Sequence, residues 1–101
     1  MLYRLVTEDQ TYPFHECFST DKNLLQEIAM DWFEIVFQDR AQSAIDTWIF
    51  DYAYYEEIPL EQATELIMSD AKAIANRIKH AWRDALSWLV ANTYIEEVQV
   101  I

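Results

Sequence analysis

The stretch Asp21–Tyr55, DKNLLQEIAMDWFEIVFQDRAQSAIDTWIFDYAYY, sets how this chain is built, because it holds neither glycine nor proline and reads as one long helix or as two. At about 100° per residue, Leu24, Ile28, Trp32 and Ile35 share one face of a helix. Carried on at the same phase, Ile45, Trp48, Ile49 and Tyr52 fall largely on the opposite side. A break near Gln38–Ser43 would reset the phase, so the pattern predicts two helices, about residues 21–37 and 42–56. Ser19, Thr20 and Asp21 supply N-cap candidates for the first, since their short side-chain oxygens accept from the free N–H groups of an opening turn.

Outward toward the N-terminus, Leu2–Thr7 (LYRLVT) is rich in β formers and is followed by the polar Glu8–Thr11 and then by Tyr12–Phe18. These predict a β-hairpin with a four-residue polar loop, Pro13 being tolerated at the start of an edge strand where no ladder N–H is needed. Outward in the other direction, Pro59 opens a third helix, with Glu61 and Glu65 near its positive end. Its stripe is the strongest pattern in the chain: Ile67, Ala71, Ile74, Ile78, Ala81, Ala85 and Trp88, widened by Met68, Ala75, Trp82, Leu86 and Leu89. Asn92 is expected to take the left-handed position after this helix that glycine usually fills. Tyr94–Ile101 (YIEEVQVI) returns to strand character. The order β-β-α-α-α-β predicts an α+β fold in one compact domain over 1–101: an N-terminal hairpin, three helices, and a C-terminal strand completing a small antiparallel sheet packed on the helices.

Charge is the second organising feature. Between Asn23 and Ala71 lie eleven acids against one base, Arg40, and the whole chain carries a net charge of −11. A one-signed field of that size repels nucleic acid and anionic lipid and steers the chain toward basic surfaces. Hydrophobic residues make up 52 % and aromatics 15 %, which excludes a disordered acidic tail. Glycine is absent, so the close backbone approach of phosphate-cradling loops is excluded, and left-handed turns fall to Asn, Asp or a strained residue. With Cys17 as its one cysteine the chain can form no internal disulfide, which points to a reducing compartment. No run reaches the roughly 20 apolar residues needed to span a bilayer, and a soluble, cytoplasmic protein is expected.

Three constellations bear on function. Glu27, Asp31 and Glu34 fall within about 60° of arc, with four-residue neighbours about 6 Å apart along the axis. Phosphates of one DNA strand rise about 3.4 Å apiece, so such a row can occupy a groove built for a nucleic-acid backbone; the alternative is an ordinary solvated face. On the second helix Asp46, Phe50, Asp51, Tyr54 and Tyr55 form an aromatic–acidic strip, either an interface anchor or one side of a wide core. Lys72, Lys79 and Arg83, with Asn76 and His80, form the only basic stretch, suited to salt bridging with the acidic segment of this chain or of a second copy.

Catalytic and metal chemistry find little support. His15 and Cys17 can share a strand face, but two ligands do not make a zinc site. Glu27/Asp31 and Glu61/Glu65 are carboxylate pairs on helices without the Glu-x-x-His ligand pairs of helical di-iron sites. Cys17, between Phe14 and Phe18, reads as a small buried apolar residue. No cofactor is expected and no enzymatic activity.

In small size, strong acidity and many aromatics, the chain resembles phage anti-restriction and anti-CRISPR proteins and the immunity proteins that neutralise nucleases. The likeness is one of composition, not of motif. It implies an inhibitor that presents carboxylates to the basic nucleic-acid-binding surface of a nuclease or defence complex, in the host-cell cytoplasm if phage-encoded. Glu27, Asp31, Glu34, Asp46, Asp51 and Glu57 would supply charge, and Phe50 and Tyr54 apolar anchors, with no direct contact to nucleic acid or membrane. The rival expectation is a structural or adaptor module, homodimeric through the third-helix stripe or a strand edge, whose charge serves solubility alone.

Overall fold

The structure, a computed structural model, describes residues 1–99 and is α+β. Its elements are β1 (Leu2–Thr7), β2 (Cys17–Ser19), α1 (Lys22–Glu56), α2 (Leu60–Met68), α3 (Ala71–Asn92) and β3 (Thr93–Val98). The strands form one antiparallel sheet in the order β2-β1-β3, so the two ends of the sequence share a sheet as expected. In register, Leu5 lies between Cys17 and Ile95, and Arg4 between Phe18 and Glu96. The last two residues of the expected C-terminal strand, 100 and 101, lie outside the described residues.

Three helices form, but not at the expected boundaries. Residues 38–43 are helical throughout, so α1 is a single helix where two were expected. Nothing in Gln38–Ser43 opposes helix, and Gln42 Nε2 donates to Asp46 Oδ1 at 2.9 Å one turn on. The change of apolar phase marks a change of packing partner instead. Of the three N-cap candidates Asp21 takes the role, its Oδ1 accepting from the Asn23 N–H at 3.0 Å.

The break falls instead inside the expected third helix, at Ser69-Asp70. Ser69 N–H donates to the Glu65 carbonyl and Asp70 N–H to that of Ile67, closing α2. Asp70 Oδ1 then accepts from the Ala73 N–H at 3.1 Å, an N-cap bond that opens α3. The unbroken 4-3 spacing of the stripe across this joint concealed it. Pro59 is the N-cap residue of α2, one position earlier than a first-turn proline.

Two further expectations are corrected. β2 is only Cys17–Ser19, and Tyr12–Glu16 belong to the hairpin loop. Pro13 has no N–H to give a ladder, and the flanking rings leave the sheet to pack: Phe14 stacks on Trp32 at 4.9 Å, and Tyr12 meets Trp88 edge-on at 5.7 Å. Asn92 is not left-handed; it ends α3, its carbonyl accepting from the Glu8 N–H and its Nδ2 donating to the Trp88 carbonyl.

The chain divides into two units, Met1–Val36 with Ala85–Ile101, and Phe37–Asp84. The first holds the sheet and buries Leu5, Leu25, Trp32, Phe33, Val36, Ala85 and Trp88. Trp88 Nε1 donates to Asp9 Oδ2 at 2.6 Å, which satisfies the buried indole N–H. Arg4 pairs with both Glu16 and Glu96. Cys17, expected to be buried, is only half-buried. The second unit centres on Ile49, Ala63 and Ile67, with Ile45, Trp48, Tyr52, Ala53, Ile58 and Ile74 packed against them. Among the described residues no helix is long and apolar enough to cross a membrane.

Candidate functional site

In the second unit, the C-terminal half of α1 buries one face and exposes the other. Ile45, Trp48, Ile49 and Tyr52 point into the core. On the helix wheel Asp46, Phe50, Tyr54, Thr47 and Asp51 follow one another over an arc of about 140° centred opposite that face. Phe50 is 61 % exposed and Tyr54 78 %. The alternative of a wide core taking both sides of this helix therefore fails. Tyr55, also exposed, meets Tyr54 edge-to-face at 5.4 Å. Two carboxylates thus flank a pair of uncovered rings that lie outside the hydrophobic core.

The strip ends at the one described residue with positive φ, Glu57 (φ 53°). Its N–H donates to the Tyr54 carbonyl and the Ile58 N–H to that of Ala53, the two bonds of a Schellman cap. Ile58 and Ala53 both pack on the core, supplying the apolar contact that accompanies such caps. Glycine is the usual residue here, and a β-carbon in this conformation costs about 1–2 kcal/mol. A glycine-free chain meets that cost with an exposed glutamate beside two exposed tyrosines.

In the first unit Glu27, Asp31 and Glu34 are all exposed on α1, and so are Leu24 and Ile35. The expected buried face of this half is therefore off-centre: Leu25, Trp32, Phe33 and Val36 carry it, while Leu24 and Ile35 border the acidic row. All eleven acids between Asn23 and Ala71 are exposed. Leaving Asp39 aside, none of them makes an ion pair with Lys or Arg among the described residues. The structure thus keeps the predicted acids of each unit solvated.

Among the described residues, and leaving Asp39 aside, the basic stretch makes no salt bridge to them. Lys72, Asn76 and Lys79 line an open concavity on α3 with Asp70. Asn76 and His80 line a second one, of about 400 Å³, with Arg40, Arg77 and Asp84. Arg40 and Arg77 were absent from the basic cluster read in the sequence. Arg77 lies three residues before His80 and seven before Asp84, a helical spacing that signals the grouping, whereas Arg40 is distant in sequence and carries no such signal.

Among the described residues no group of three His, Cys, Asp or Glu side chains is disposed to hold a metal ion. No protein-family model matches the chain, and no curated protein or solved structure shows significant similarity to it.

Proposed function

We propose that the chain is a non-enzymatic inhibitor that offers carboxylates, in place of nucleic-acid phosphates, to a basic groove of a partner protein. Anti-CRISPR, anti-restriction and nuclease-immunity proteins are the functional types it would join, acting in the cytoplasm. The observation that carries this reading is the strip Asp46–Phe50–Asp51–Tyr54, ending at Glu57, with both rings exposed and its carboxylates without a cationic partner among the described residues. Unpaired carboxylates repel one another and destabilise the folded chain, and exposed rings waste apolar area, so both favour a cationic partner with an apolar pocket. Glu27, Asp31 and Glu34 add charge from the first unit, with Leu24 and Ile35 beside them.

The test is affinity capture from source-cell lysate at about 0.05 and 0.5 M salt, with the captured protein identified. A nucleic-acid-binding protein held at low salt and released at high salt is expected. The triple variant Glu27→Lys, Asp31→Lys, Glu34→Lys should lose the partner while its circular dichroism is unchanged. A partner without a basic groove, or one held equally at both salts, refutes mimicry.

One observation favours the adaptor reading. In the first unit Leu86 and Val90, four residues apart on α3, are exposed, Val90 by 77 %. An adaptor or homodimer using such residues would be nearly indifferent to salt, which the same capture measures.

A further inference from the structure

Arg40, Arg77, His80 and Asn76 line one concavity of about 400 Å³ in the second unit, within the size range of small-ligand pockets. In a chain of net charge −11 this is a concentration of donors, and among the described residues none of the three basic groups makes an ion pair.

Two of the three are already held. Arg40 Nη1 donates to the Asp84 main-chain carbonyl at 3.2 Å, which leaves the rest of its guanidinium fork unused. The Arg77 guanidinium lies 4.5 Å from the centre of the Trp48 ring, and stacking on a ring face leaves its in-plane N–H groups available at the edge. A guanidinium immobilised before binding loses less conformational freedom when a ligand arrives. Asn76 adds an amide donor and His80 an imidazole. One carboxylate, Asp84, also lines the concavity, so the lining sets two guanidiniums and an imidazole against one acid.

We infer that this concavity is a binding site for a small tetrahedral oxyanion of the phosphate class, held bidentately by Arg40 and Arg77. Guanidinium forks match the paired oxygens of such an ion. Size and field select against longer polyanions: a nucleic-acid duplex would bring its charge against the nine acids of the second unit, whereas one small anion meets mainly the local donors. The site is separate from the acidic strip and does not depend on the inhibitory reading.

The test is titration of the full chain with inorganic phosphate at constant ionic strength, followed by amide chemical shifts, with chloride and a DNA duplex as controls. Saturable shifts should centre on residues 40, 76–77, 80 and 84, and neither control should reproduce them. Arg40→Gln and Arg77→Gln should each weaken binding about tenfold or more. Asp84→Asn, which keeps the main-chain carbonyl that orients Arg40, should tighten it. Lys72→Gln and Lys79→Gln, which line the other concavity, should leave it unchanged. Equal weakening by all four cation-removing variants would reduce the effect to overall charge and overturn the site. So would loss of affinity in Asp84→Asn, tighter binding of the duplex, or self-association that phosphate dissolves, which would assign the concavity to acids of a second copy.

Discussion

The two units use the same residue types in opposite ways. In the first, Tyr12, Phe14, Trp32 and Trp88 pack ring on ring, and the strand arginine Arg4 is engaged by Glu16 and Glu96. In the second, Phe50, Tyr54 and Tyr55 stand in water, and neither the flanking acids nor Arg40 and Arg77 have a charged partner among the described residues. The rings that build the core of the first unit have exposed counterparts on the C-terminal half of α1 in the second. An aromatic ring is worth about 0.5–1.5 kcal/mol in a well-placed pair beyond the area it buries, so leaving three outside a small core favours an external use for them.

That contrast can be broken or sharpened by substitution. The largest effect is expected in the first unit. Phe14→Ala removes the ring between Trp32 and Tyr12 and should lower unfolding free energy by about 2–4 kcal/mol, read by denaturant titration. Trp88→Phe keeps an aromatic ring, though a smaller one, but leaves Asp9 without the indole donor, for an expected loss of about 1–3 kcal/mol. Glu57→Gly should go the other way, raising stability by about 1 kcal/mol as the left-handed cap loses its β-carbon. If the strip binds a partner, that same variant should bind more weakly while melting higher, a split that a merely structural residue would not produce. Smallest of all, Phe50→Ser with Tyr54→Ser should change stability by no more than about 0.5 kcal/mol. A large loss there would mean that the rings serve the fold and would erase the contrast.

Much of this architecture was legible in the residues themselves. Leu2–Thr7 reads as a strand because its β formers are bounded by polar loop residues, and the structure gives that range without change. The exposed strip followed from placing Ile45, Trp48, Ile49 and Tyr52 inward. Periodicity failed where one signal had two causes. A phase jump at Gln38–Ser43 arises from a broken helix or from a continuous helix whose buried face changes, and only packing distinguishes them. The reverse held at Ser69-Asp70, where α2 and α3 keep a common stripe and the break is marked only by cap chemistry, an Asp three residues before Ala73. Pro13 suits an edge strand by sequence, but its aromatic neighbours have tertiary partners that outcompete the ladder. Arg40 escaped the reading of the basic cluster because its place beside Arg77 depends on tertiary structure alone.

Competition for DNA at the captured partner tests the central claim most directly. With a labelled duplex bound to that partner, added wild-type chain should displace it, and Asp46→Lys, Asp51→Lys combined with Phe50→Ser should not. Simultaneous binding of duplex and chain, with no loss of the DNA signal at saturation, would contradict the account.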